Sequence, residues 1–273
     1  MEADPASAEA VPVHRAGTGP VSGAPAPRVE LRRAADRFVT RADWLTSWHC
    51  FSYHPHYDPA NTHFGLLLAG NDDTLAPGAG FDLHEHREIE AVTWVLAGAL
   101  RHEDSVGNVA VLGPGTVQRM TAGRGVWHAE RNASDAEPVR YVQIWLTPGE
   151  PGLAPSYQRA DVSGLLAAGG LVPVASGAAD VPAPVRLNQS AATLHAARLR
   201  PGAAAALPAA PFVHAYLAAG SSTALPAGGR PRAAGGRLEL SAGDSLRITG
   251  GPVELTAGPA GAELLVWEMH RGL

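Results

Sequence analysis

The feature that most constrains this chain is its punctuation. From Val29 onward, apolar runs of about four to eight residues recur, each closed by glycine, proline, asparagine or aspartate. Ile89 to Leu100 is rich in Val, Thr, Trp and Leu and breaks at Gly98. Asp104-Ser105-Val106-Gly107-Asn108 is a turn before Val109-Ala110-Val111-Leu112, and Gly113-Pro114-Gly115 precedes Val117 to Met120. Val139 to Leu146 alternates in the two-residue period of a strand. Runs this short cannot carry a helical bundle. Many short strands bury their apolar faces by closing on one another, so the pattern predicts an all-β barrel or sandwich. The 31 glycines and 23 prolines among 273 residues fit a fold rich in turns.

The series occurs twice. Thr46 to Tyr53 and His63 to Ala69 read as early strands, the second ended by the turn formers Gly70-Asn71-Asp72-Asp73. After Val139 to Leu146, Thr147-Pro148-Gly149-Glu150-Pro151-Gly152 reads as a linker, and a second set of strand-like runs follows. These are Leu171 to Val174, Thr193 to Leu199, Phe212 to Leu217, Leu238 to Leu240, Ser245 to Ile248 and Ala262 to Met269. Ser241-Ala242-Gly243-Asp244 stands in this half much as Gly113-Pro114-Gly115-Thr116 stands in the first, which suggests two copies of one β-domain. A short helix around Ser163 to Ala168 is capped by Gly169-Gly170. Residues 1–28 hold Ala, Pro, Gly and Ser with few large apolar side chains, too little to offset the entropy of ordering them. The expected organisation is a disordered tail over 1–28, a first domain over 29–150 and a second over 151–273.

Composition excludes several classes. A net charge of −5 argues against a protein built to grip a phosphate backbone. One cysteine, Cys50, rules out an internal disulfide framework and reads as a small core residue beside Phe51. No apolar stretch reaches membrane-spanning length, and the acidic start MEADPASAEA lacks the basic and apolar regions of a secretory signal. A cytoplasmic monomer is expected, with no direct nucleic-acid or membrane partner.

The chemistry concentrates in two short stretches. Side chains on a strand alternate faces, so His84 and His86 project to the same side. About forty residues on, His128 and Glu130 repeat that spacing. If the two strands are neighbours, three imidazoles and one carboxylate converge, a donor set for a divalent iron, nickel, copper, manganese or zinc ion. Glu90 is the competing carboxylate, with a place beside the site or a pairing to Arg87 as its other roles. Glu130 is favoured because it alone keeps same-face spacing from a candidate histidine ligand. His54-Pro55-His56 has a proline at its centre and no strand after it, so it reads as a loop. His102, flanked by Arg101 and Glu103-Asp104, reads as part of a polar hairpin rim. His49 and His63 are open between pocket, core and surface. His195, His214 and His270 form no pair, so the second domain is expected to be metal-free. Trp94, Trp127, Met120 and Phe81 read as core residues able to line a pocket for a flat aromatic molecule.

These stretches resemble the two motifs of the cupin superfamily and, within it, the pirin family. The resemblance is carried by Ser52 to Pro59 (SYHPHYDP), Asn71 to His86 (NDDTLAPGAGFDLHEH), Glu90 to Gly98 (EAVTWVLAG), His102 to Asn108 (HEDSVGN) and Gly113 to Glu130 (GPGTVQRMTAGRGVWHAE). It covers most of residues 45–148, and more loosely the second half through Tyr157-Gln158, Leu240 to Asp244 and Ala262 to Leu265. It implies a bicupin, two β-barrel or jelly-roll domains in tandem. One metal, Fe(II) by this resemblance, would lie in the first barrel with His84, His86, His128 and Glu130 as ligands. It further implies a quercetin 2,3-dioxygenase-like oxidoreductase that cleaves a flavonol with O2, Glu130 accepting the proton of the 3-hydroxyl. The alternatives are a non-enzymatic iron-binding regulator of a transcription factor or metabolic enzyme, acting through protein contact, and a cupin dioxygenase of another reaction. The chain departs from the family pattern at Glu85, usually small or proline, and at Glu88-Ile89, usually glycine and an aromatic residue.

Overall fold

A computed structural model describes residues 26–226 and 236–273. The tail expected over 1–28 therefore falls outside the described residues as far as residue 25, and Arg28 already belongs to a strand. In chain order the first strands are β1 (Arg28–Arg32), β2 (Phe38–Ala42), β3 (Leu45–His49), β4 (Leu67–Leu75) and β5 (Gly80–His86). Next come β6 (Glu90–Ala97), β7 (Leu100–Asp104), β8 (Val109–Leu112), β9 (Thr116–Thr121), β10 (Val126–Asn132) and β11 (Val139–Leu146). After the linker run β12 (Ser156–Asp161), the short helix α1 (Ser163–Ala167), β13 (Val172–Ser176), β14 (Val185–Arg186) and β15 (Ala192–Leu199). The chain closes with β16 (Ala204–Ala206), β17 (Phe212–Pro226), β18 (Leu238–Ser241), β19 (Ser245–Thr249) and β20 (Val253–Met269).

The protein is all-β, as the punctuation predicts. A seven-stranded sheet, β12-β9-β6-β11-β4-β3-β2, faces a four-stranded sheet, β5-β10-β7-β8. A nine-stranded sheet holds the second half in the order β1-β19-β17-β20-β15-β13-β14, with β16 on β20 and β18 on β17. The halves exchange strands, so the expected boundary at residue 150 is crossed twice. β1 pairs with β19 of the second half, and β12, beyond the linker, pairs with β9 of the first.

The outer face of the seven-stranded sheet is covered by the second half. Val92, Trp94, Val117, Val142, Ile144 and Leu146 share one buried cluster with Leu194, Tyr216, Leu265, Trp267 and Met269. With both faces covered, β6 is buried almost throughout. This arrangement explains one departure from expectation. Gly70-Asn71-Asp72-Asp73 form no turn and lie buried inside β4. Their polar groups find cross-strand partners that override turn preference. Asn71 bonds His49 at 2.9 Å, and Asp72 takes both nitrogens of the Arg140 fork at 2.9 and 2.7 Å and the Tyr216 hydroxyl from the second half.

Candidate metal centre

The alternation read from the sequence holds along β5 and β10. On β10, His128 and Glu130 are buried while Trp127 and Arg131 face solvent. Trp127 is thus not a core residue: 46% of it is exposed, because a strand that turns His128 inward must turn its neighbour outward. β10 lies between β5 and β7, with His128 directly opposite His84 and Glu130 opposite His102. Between His128 and Glu130 the register with β5 shifts, so that two residues of β10 span three of β5.

Three imidazoles meet on the inner face of the four-stranded sheet. Ring centroids are 4.4 Å apart for His84 and His128, and 4.9 Å for His86 with each of them. One ligand nitrogen from each lies within 4.8 Å of the other two. His128 and Glu130 form a second group of the same closeness with His102. His102 is therefore buried inside the barrel and not on a polar rim. It stacks on Tyr157 at 4.8 Å, and its Nε2 faces Asp104 Oδ2 at 3.4 Å. Burial opposes ionisation of Asp104, but bonds from the Asn108 side chain and backbone and from His102 bring its carboxyl below the ordinary range.

The donor set fits a cation. His84 Nδ1 bonds the Asp82 carbonyl at 2.7 Å; a carbonyl only accepts, so Nδ1 carries the proton and Nε2 keeps its lone pair. His86 Nε2 and both nitrogens of His128 are buried with no protein partner, an expense that a bound metal relieves. Burial, then the nearby His128 and His84, push His86 down to about 4. Burial, then His84 and His102, push His128 down to about 3. Both rings are neutral near pH 7, the form that ligates.

Glu90 joins neither group. Its oxygens accept from Thr121 Oγ1 at 2.9 Å, from the backbone and side-chain nitrogens of Asn188 at 3.0 Å and from the Gln189 backbone at 2.9 Å. It ties the halves together, while Arg87 pairs with Glu85 at 2.6 Å. Glu88 takes a left-handed backbone, φ 52°, a conformation that favours glycine; its carboxylate there receives the Gly152 N–H at 3.0 Å.

A cavity of about 420 Å³ opens beside His84 and Glu130, walled by Phe81, Tyr53 and Trp145 and floored by Asp73, Tyr141 and Gln143. His54 and Pro55 line it too, so the His54-Pro55-His56 turn, a loop as expected, sits at the mouth of this cavity. Burial, opposed by a Ser47 hydrogen bond and reinforced by the charges of Glu130 and Asp72, raises the Asp73 carboxyl to about 7. Sequence reasoning missed Asp73, Tyr141, Gln143 and Trp145. The available signal was β11 itself, where Tyr141, Gln143 and Trp145 occupy one face of a strand otherwise Val, Ile and Leu after Arg140. Among the other histidines, His49 is buried and bonds Thr40 and Asn71, and His63 is exposed. Among the described residues, the groups able to hold a metal all lie in the first half.

The comparisons with known proteins agree with this architecture. Residues 30–146 match the family model described as Pirin. A Mycobacterium tuberculosis (strain ATCC 25618 / H37Rv) protein named "Putative quercetin 2,3-dioxygenase" is 54% identical over 195 residues, 71% of this chain and 80% of that protein. Quercetin 2,3-dioxygenase of Escherichia coli K12 is 40% identical over 131 residues, 48% of this chain and 57% of that protein. The crystal structure of the bacterial pirin YhhW from Escherichia coli in complex with nickel(II) superimposes with a TM-score of 0.77 at 29% identity, covering 89% of this chain and 100% of that one. Tandem β-barrels, the first with an inward cluster of histidines, make this a bicupin. This chain belongs to the pirin family.

Proposed function

We propose that the protein is a metal-dependent dioxygenase that opens an oxygenated aromatic ring, a flavonol such as quercetin, with O2. His84, His86, His128 and Glu130 are the metal ligands in this reading, and Fe(II) is the working ion. The observation that carries it is a cluster of three imidazoles, with His86 Nε2 and both His128 nitrogens buried and unpartnered, at the edge of an aromatic-walled cavity of about 420 Å³ that leaves room for a substrate beside them. A divalent first-row metal bound there would supply Lewis acidity toward a substrate hydroxyl and redox chemistry toward O2. The chain's own residues do the rest. Phe81, Tyr53 and Trp145 sandwich a flat ring system and exclude water. In this reading Glu130, buried yet lining the cavity, accepts a hydroxyl proton. The names of the relatives support a substrate of this class.

One observation favours a second reading, an iron-binding regulator that acts through a protein partner. Directly behind the histidines, the outer face of the four-stranded sheet exposes Leu83, Trp127, Val109 and Val111.

The test is oxygen-dependent loss of quercetin absorbance by Fe(II)-loaded protein beside its His84→Ala variant. Turnover by the parent and none by the variant is expected. A parent that holds iron and leaves both quercetin and related flavonols intact would transfer the argument to the regulator.

A further inference from the structure

Gln143 has its amide direction dictated by a neighbour. Trp145 Nε1 can only donate, and it meets Gln143 Oε1 at 2.8 Å, so the amide nitrogen must face the other way. That nitrogen stands 2.9 Å from each oxygen of Glu130. A donor equidistant from both oxygens lies in the plane that bisects the carboxylate, the plane a chelated cation would also share. The same nitrogen is 3.2 Å from Thr93 Oγ1, which also receives Gln118 Nε2 at 3.2 Å. Tyr157, lent by β12 from beyond the linker, donates to Gln118 Oε1 at 2.8 Å. The Gln143 amide is therefore fixed from several sides and buried. Trp145 edges His86 at 4.7 Å and lines the cavity, so the orienting indole touches both the ligand cluster and the space a substrate would fill.

We infer that Gln143, oriented by Trp145, is a positioning residue that fills the chelating side of Glu130 and confines that carboxylate to one-oxygen ligation. A chelating carboxylate takes two coordination positions and a one-oxygen carboxylate takes one, so the Gln143 amide keeps a position open on the cavity side. The inference rests on the reading of Glu130 as a ligand. Glu130 offers only its outward lone pairs, while both Gln143 N–H bonds are spent on Glu130 and Thr93.

The test uses the full chain loaded with Mn(II) or Ni(II). Metal-induced infrared difference spectra of glutamate-labelled protein report the splitting between the two carboxylate stretches, wide for one-oxygen ligation and narrow for chelation. Water-proton relaxation by the Mn(II) form counts open positions. The parent should show the wide splitting. Gln143→Met, nearly isosteric and without a donor, should still bind metal, narrow the splitting and lose one metal-bound water. Trp145→Phe keeps an aromatic ring, smaller than the indole, while removing the N–H that orients the amide, and should shift both signals the same way, which keeps the test alive if Gln143→Met does not fold. A narrow splitting in the parent, or unchanged splitting and water count in folded variants, would overturn the inference. Glu130→Gln separates it from the reading beneath: a labelled band that persists in that variant means Glu130 is not the ligand at all.

Discussion

Burial decides the protonation of His214, and with it part of how the protein responds to acid. His214 is fully enclosed between Phe51 and Phe64 with both ring nitrogens unpartnered, and burial, helped by the nearby Arg247 charge, pushes it down to about 3. In the unfolded chain the same ring titrates near 6.5. The unfolded state therefore gains the proton first as pH falls. The stability due to a neutral His214 is complete above pH 6.5 and drains away as pH drops from there toward 3. Unfolding by urea at pH 7 and pH 5 should show the parent losing stability in acid. His214→Phe, which keeps a flat ring and removes the titrating group, should lose about 2 kcal/mol less over that interval. Parallel pH dependences in the two proteins would contradict this account. At the same scale, His84, His86, His128 and Glu130 were legible because strand alternation is a property of two residues and the one between them. His102 was not legible as an interior group. Its sequence neighbours Arg101 and Glu103 are charged and face solvent, while Tyr157 and Asp104 receive the ring inside the barrel.

At the scale of the element, the critical strand is β5. Gly80 lies so close to β10 that a Cβ on it would stand 2.3 Å from the Glu130 carbonyl oxygen and 2.5 Å from Arg131 Cα. A side chain at that position must push β5 off β10 next to the register shift that sets His84 opposite His128. Gly80→Ala is expected to cost about 1–3 kcal/mol in denaturant unfolding. It should also weaken Ni(II) binding, measured by calorimetric titration, by about tenfold or more as the imidazoles separate. Retention of the parent's metal affinity would show that the cluster does not depend on this close approach. The strand periods were readable for β6, β8, β9 and β11, whose bounds fall close to the apolar runs. β4 was not, since its Gly-Asn-Asp-Asp segment has the local chemistry of a turn and is held extended by partners on β3, β11 and β17. β17 and β20 run much longer than their apolar segments, because pairing with each other carries them through small and polar residues.

For the whole molecule, the two halves are joined by shared strands and buried polar contacts. β1 and β12 each complete the other half's sheet, Glu90 binds Asn188 and Gln189 across the seam, and Asp72 holds Arg140 and Tyr216 together. The outer face of the seven-stranded sheet is as apolar as its partner requires. A fragment of residues 1–150 keeps every candidate metal ligand and loses β12 and that cover. It should show no cooperative unfolding transition and should aggregate, as followed by circular dichroism and light scattering. A soluble fragment that unfolds cooperatively and binds Ni(II) would instead favour the division at the linker.

What the sequence determined by itself is whatever repeats locally. Glycine and proline spacing made the chain all-β and tandem, and two-residue alternation put His84 with His86 and His128 with Glu130 on shared faces. Only the tertiary structure decided the rest. It inserted β1 and β12 into the opposite halves, turned Gly70 to Asp73 into strand, assigned Glu90 to the seam and laid Gln143 across the oxygens of Glu130. The reason is the range of the forces. Side-chain direction follows from adjacent backbone geometry, whereas the partner of a buried polar group is set by residues far along the chain that a sequence does not show to be near.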